Sequence, residues 1–139
     1  MKKRNIVVIS ISFIFVCALL IINSNLSNGI PNLAKRKQIT QVKIYPDYIK
    51  EQSSYITIND SEKVDGIYRL FNNAKLIKNK KSVSDVPQNN CDPLIKIILK
   101  DDVYYLYQED YKECYLEKPY EGIYKIDYDD YAIISAIVG

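Results

Sequence analysis

Hydrophobic and polar positions divide the chain into three stretches. Residues 6–22 form an uncharged run of 17, apolar but for Ser10 and Ser12, behind a basic tip of Lys2, Lys3 and Arg4. Residues 23–38 are rich in Asn and Ser, carry Gly29 and Pro31, and show no apolar period. From Ile39 onward, short alternating runs surround one segment of helical period.

The alternating runs predict strands. Val42 and Ile44 alternate with polar neighbours over residues 41–45, and Pro46 stops the run. Residues 54–58 hold Tyr55, Ile56, Thr57 and Ile58, side chains that suit a pleated surface. Asn59 and Glu62 then have the spacing of a capping box, and Val64, Ile67, Tyr68, Phe71 and Ala74 fall on one helical face. Gly66 costs that helix about 1 kcal/mol relative to alanine, which implies a close approach by a partner element or a frayed start. Leu76 and Ile77 begin another short strand, and residues 82–93 read as loop.

A meander follows. Strands over 94–100 and 103–108 flank a turn at Asp101 and Asp102, which sets Leu99 opposite Tyr104, Ile97 opposite Leu106 and Ile95 opposite Gln108. Residues 114–117 and 122–126 supply two further strands, separated at Pro119. Asp129 or Asp130 caps a final helix through Ile133, Ile134, Ile137 and Val138. The sum is an α+β fold, an antiparallel meander with one or two helices packed on one face, preceded by an N-terminal membrane helix.

The N-terminal run has the make-up of an export signal. As a helix it reaches roughly 25 Å, against about 30 Å of hydrocarbon, a gap that snorkelling Lys3 and Arg4 and mild bilayer thinning close. Small residues suited to cleavage lie only far downstream, around Ser27, Asn28 and Gly29, which favours a retained signal-anchor over a cleaved, secreted form. Cys17 sits inside the apolar run, not at its end, and so is misplaced for lipidation. The expected division is residues 1–25 as signal-anchor or signal peptide, 26–38 as flexible tether, and 39–139 as an extracytoplasmic α+β domain. The basic tip favours a single pass with that domain outside, against a competing cluster at Lys35, Arg36 and Lys37.

Charge changes its meaning once this segment is set apart. The chain carries +2, but residues 1–25 hold three basic and no acidic residues, leaving 16 basic against 17 acidic in the remainder. That balance gives no footprint for nucleic acid. The absence of histidine removes histidine-activated nucleophiles and histidine-ligated zinc. Asp127, Asp129 and Asp130 lack the turn glycine and closing glutamate of a calcium loop and suit a helix N-terminus instead, so no metal or other cofactor is expected. Cys91 and Cys114 form a possible disulfide in an oxidising compartment, although the strand between them argues against direct contact.

Tyrosine is the unusual quantity, 13 in all, nine of them from Tyr104 to Tyr131. In the meander Tyr105 and Tyr107 face away from Ile97, Leu99 and Leu106, which suggests an aromatic outer surface for peptide, glycan or protein. Ordinary cross-strand packing with exposed hydroxyls is the plainer account.

Two stretches occur in order, Ser82-Val83-Ser84-Asp85-Val86-Pro87 and Tyr115-Leu116-Glu117-Lys118-Pro119-Tyr120-Glu121-Gly122-Ile123-Tyr124. Together they resemble an uncharacterised domain-of-unknown-function family of short exported or membrane-anchored Gram-positive proteins, over roughly residues 40–138. The resemblance implies an envelope location and carries no activity. Pro119 ends one strand and Gly122 lets the next start closely, a corner expected to display Tyr115, Tyr120 and Tyr124. The expected function is therefore non-catalytic: a membrane-tethered domain that binds an envelope protein or wall component through Tyr105, Tyr107, Tyr115, Tyr120 and Tyr124. The alternatives are a small envelope hydrolase or transferase using Glu117 and Glu121, and an inhibitor or immunity-type protein.

Overall fold

The computed structural model describes residues 29–88 and 91–139. Seven strands form one antiparallel sheet: β1 (Val42–Tyr45), β2 (Ile56–Ile58), β3 (Lys75–Leu76), β4 (Ile95–Leu99), β5 (Asp102–Gln108), β6 (Cys114–Lys118) and β7 (Gly122–Ile126). Their order is β2-β1-β4-β5-β6-β7-β3. Helix α1 (Ser61–Asn73) connects the two edge strands β2 and β3, and α2 (Tyr128–Val138) follows β7. At 13 residues α1 is about 20 Å long, so it crosses most of a seven-strand sheet about 29 Å wide.

Alternation decides what the sheet buries. Val42 and Ile44 from β1, Ile95, Ile97 and Leu99 from β4, Tyr104 and Leu106 from β5, and Cys114 and Leu116 from β6 share one core. Helix α1 inserts Val64, Ile67, Leu70 and Phe71 into it, and α2 adds Tyr131 and Ile134. Phe71 meets Tyr104 edge-on with ring centroids 4.7 Å apart, the favoured geometry for two aromatic quadrupoles. Both helices thus lie on one face, as the periodicity implies.

Local details differ from the sequence expectation for physical reasons. Asp60, not Asn59, caps α1, its carboxylate accepting from the Lys63 backbone N–H at 2.9 Å. The β4–β5 turn falls at Lys100 and Asp101, because Lys100 takes the left-handed conformation at φ 59°. Leu99 therefore pairs with Asp102, Ile97 with Tyr104 and Ile95 with Leu106. The slip from the expected register is an even number of residues, so every side chain keeps its face.

Residues 29–38, expected as part of a tether, pack onto the domain. Ile30 enters the main core, and the Gly29 N–H donates to the Ala74 carbonyl at 2.8 Å. Arg36 pairs with Asp65 on α1 and donates to the carbonyls of Ile39 and Ser61.

The expected membrane helix is corrected. Residues 6–22 lie outside the described residues, and no helix among the described residues is long and apolar enough to cross a membrane. The single-pass topology and the membrane attachment through residues 6–22 rested on that helix and are not carried by the described residues, whereas a secreted, extracytoplasmic location does not depend on it.

Gly66 has no close neighbour to explain it. A Cβ built there meets nothing within 4 Å. Gly66→Ala is expected to stabilise the domain by about 0.5–1 kcal/mol through helix propensity and a stiffer unfolded chain. A urea midpoint that falls on this substitution would show that the glycine is needed.

Candidate functional site

The second face of the sheet is half covered. Tyr105 and Tyr107 of β5, Tyr115 of β6 and Ile123 of β7 meet Cys91 and Leu94 in a second core, with Ile77 and Val86 packed against it. The cover is the irregular segment between β3 and β4, described over residues 77–88 and 91–94. In its midst lies Glu117, only 4% exposed. Ser82 Oγ donates to Glu117 Oε1 at 2.6 Å, and the Tyr107 hydroxyl donates to Oε2 at 3.1 Å. Ser82 Oγ in turn accepts from the Tyr120 backbone N–H at 3.0 Å. A carboxylate taken from water is stable only when both oxygens find donors, and here each has one. Among the described residues no buried side-chain nitrogen or oxygen lacks a partner.

This network sets the β6–β7 corner. Lys118 pairs with Gly122 across Pro119, Tyr120 and Glu121. The buried stem of Lys118 leads its ammonium to Glu121 at 2.9 Å and Asp102 at 3.4 Å. Tyr120 takes φ 61°, a conformation that bulky side chains rarely adopt, and its backbone is held there by Ser82. Tyr120 as a whole is 63% exposed. A hydrogen bond with Asp85 pushes the Tyr120 hydroxyl above the usual tyrosine pKa. Beside the ring runs an open groove of about 300 Å³ lined by Leu76, Lys78, Lys81 and Val83. Gly122 permits the closeness of its wall, since a Cβ there would come 2.9 Å from Leu76 Cδ1. Lys80 is tethered to Glu109 at 2.8 Å and stands over the Tyr115 ring, whereas Lys78 and Lys81 pair with no carboxylate among the described residues.

The tyrosines expected as an outer surface are mostly interior. Tyr105, Tyr107 and Tyr115 build the second core, and Tyr124 joins the main one, so of the five named residues only Tyr120 is exposed. Their faces follow the alternation, but the covering segment turns the aromatic face into a core. Cys91 and Cys114 are both free and buried, Cys91 in the second core and Cys114 in the first, with the sheet between them. The possible disulfide is corrected accordingly, and burial pushes the Cys114 thiol up to about 11. Glu117 is engaged by Ser82 and Tyr107 and Glu121 by Lys118, so neither carboxylate of the hydrolase reading stands free.

Sequence reasoning missed Ser82 as an anchor, because nothing local marks a serine that bonds 35 residues away. It also passed over Tyr45, Tyr48 and Tyr55, whose rings cluster together, Tyr48 packing as well against Tyr105 and the second core. The alternation of Lys43 and Tyr45 with Val42 and Ile44 contained that signal.

Burial of the phenols gives the domain an alkaline limit. Desolvation pushes Tyr105 up to about 12 and raises Tyr104 and Tyr107 in the same direction. In the unfolded chain tyrosine ionises near 10, so above that pH the unfolded state loses protons that the fold retains. The stabilisation is complete below pH about 10 and disappears as pH rises toward 12, with Tyr105 alone contributing about 2–3 kcal/mol. Urea midpoints at about pH 9 and about pH 11 should differ markedly in the parent chain and less in Tyr105→Phe. An unchanged difference would place the alkaline sensitivity elsewhere.

Residues 27–125 match the DUF5301 family model, described as a domain of unknown function (DUF5300). The fold resembles the NMR structure of a protein from Ruminococcus gnavus, with a TM-score of 0.52 and 25% identity, covering 70% of this chain and 92% of that one. No curated protein matches the chain. The expected kinship with a domain-of-unknown-function family holds, while the membrane anchoring expected with it is not shown. With residues 27–125 matched, well over half its length, the chain belongs to the DUF5301 family of domains of unknown function.

Proposed function

We propose that this is a non-catalytic binding domain whose contact surface is the corner around Tyr120. The carrying observation is an exposed aromatic side chain on a backbone held in the left-handed region by a partly buried hydrogen bond. Strain of this kind persists only where the surroundings over-determine it, and it gathers at ligand contacts. A ring fixed in advance loses little entropy on binding, which is why tyrosine recurs at contact surfaces.

The surroundings favour an acidic protein segment bearing an apolar side chain. Val83, Leu76 and Tyr120 are among the most exposed large hydrophobics of the domain, and all three line the groove. Lys78 and Lys81 add positive charge with no acidic partner among the described residues, while Glu121 on the same lining is already paired with Lys118. The adjoining edge strand β3 is short and carries Lys75, which guards it against indiscriminate strand pairing.

A photoreactive residue at position 120 should crosslink one dominant partner, and a control at the exposed Tyr111 should not. Joint Lys78→Glu and Lys81→Glu should weaken the crosslink about tenfold without altering thermal unfolding. Equal capture from positions 120 and 111, or indifference to charge reversal, would overturn the reading.

A further inference from the structure

The other half of the second face carries a different chemistry. Among the described residues no segment covers β2, β1 and β4 as residues 77–88 and 91–94 cover β5 to β7, although Tyr48 reaches across to pack against Tyr105. Cross-strand pairing puts Lys43 between Thr57 and Ile98, and sets Tyr45 beside Lys96. Tyr45 lies 5.4 Å from Tyr55 and 5.9 Å from Tyr48, centroid to centroid. Lys96 Nζ stands 4.2 Å from the Tyr48 ring and 5.3 Å from Tyr45, while Lys43 stands 5.2 Å from Tyr55. Rings and ammonium groups thus interleave across an accessible sheet face, with Tyr55 49% exposed.

A groove of about 270 Å³ adjoins this patch, lined by Gln38, Thr40, Gln41, Lys43, Ile98 and Lys100. Lys43, Lys96 and Lys100 have no carboxylate within ion-pairing distance among the described residues. The ring faces stabilise the first two as cations. Uncompensated positive charge over a low-dielectric surface attracts an anion. The glutamine amides and the threonine hydroxyl both donate and accept, which suits a ligand bearing many hydroxyls.

We infer that the open half of the sheet binds an anionic glycan, a chain of sugar rings carrying carboxylate or phosphate. The anionic group enters the groove at Lys43 and Lys100, and neighbouring rings lie against Tyr55 and Tyr45. A neutral glycan leaves the three lysines unanswered. An extended acidic peptide pairs most readily along a strand edge, and these side chains stand on the face. A nucleic acid needs a longer track of cations than a near-neutral domain provides. This surface is separate from the Tyr120 groove, so either can fail alone.

The test uses the full-length chain, with binding read by calorimetry and by shifts of backbone amide resonances. Its probes are a uronic-acid hexasaccharide, a phosphorylated glucan hexasaccharide, the unmodified glucan, hexaglutamate and a thymidine hexanucleotide. At least one anionic glycan should bind about tenfold more tightly than the neutral one and shift the amides of Lys43, Tyr45 and Tyr55, and the tighter of the two names the anion. Joint Lys43→Gln and Lys100→Gln should weaken binding about tenfold, and Tyr55→Ala about fivefold. Joint Lys78→Glu and Lys81→Glu should leave it unchanged. Equal affinity for neutral and charged glycans, tighter binding of hexaglutamate or the hexanucleotide, or no binding by any glycan would each overturn the inference. So would insensitivity to the Lys43, Lys100 and Tyr55 substitutions.

Discussion

The covered half of the sheet's second face depends on one buried carboxylate. Glu117 projects from β6 among tyrosines, where desolvation of its charge costs several kcal/mol unless donors reach it. Tyr107 supplies one from the neighbouring strand, and Ser82 supplies the other from the irregular segment above. The described residues of that segment form no regular secondary structure between β3 and β4, and so offer no periodic apolar face to hold it. Its place is fixed by a few buried apolar contacts, by the Ile77 N–H donating to the Ile123 carbonyl and Lys80 pairing with Glu109 near its start, and by the pairing of Ser82 with Glu117 in its interior. Without the cover, Tyr105, Tyr107, Tyr115 and Ile123 would face water.

The same serine reaches in two directions. Its proton serves Glu117 and its lone pair accepts the Tyr120 N–H, so the buried network and the exposed corner share an atom. The stretches that carry the family resemblance, Ser82 to Pro87 and Tyr115 to Tyr124, meet at this atom. Their spacing in the chain conceals a single piece of architecture: one stretch is the strap, the other the hairpin beneath it. Because the strap covers only β5 to β7, the sheet is left with two unlike surfaces. One is the strained corner with its lysine-flanked groove, the other the open patch of interleaved tyrosine and lysine.

What was legible in the sequence was local. The i, i+3, i+4 pattern from Val64 to Ala74 locates α1 because a helix repeats its environment every few residues. Alternation assigns the faces of β1 and β4 to β7 for the same reason. Register was less legible, since it turns on Lys100 adopting a left-handed conformation that no side-chain signature demands. Exposure was least legible. Parity says that Tyr105 and Tyr107 share a face, but only a partner distant in sequence decides whether that face is wet. Weight placed on the tyrosine-rich C-terminal half therefore fell on core residues, while the exposed Tyr55 stood beside the half-buried Tyr45 and Tyr48. Neither the density of a residue type nor its face is evidence of a surface until its cover is known.

The account stands on Ser82 and Glu117 acting as a pair, and a double-mutant cycle on that pair tests it most directly. Unfolding free energies of the parent, Ser82→Ala, Glu117→Ala and the double variant should give a coupling of about 1.5–3 kcal/mol, as for a hydrogen bond to a buried charge. A coupling below about 0.5 kcal/mol would mean that the two residues stabilise the fold independently, and the strap would then be held by something else.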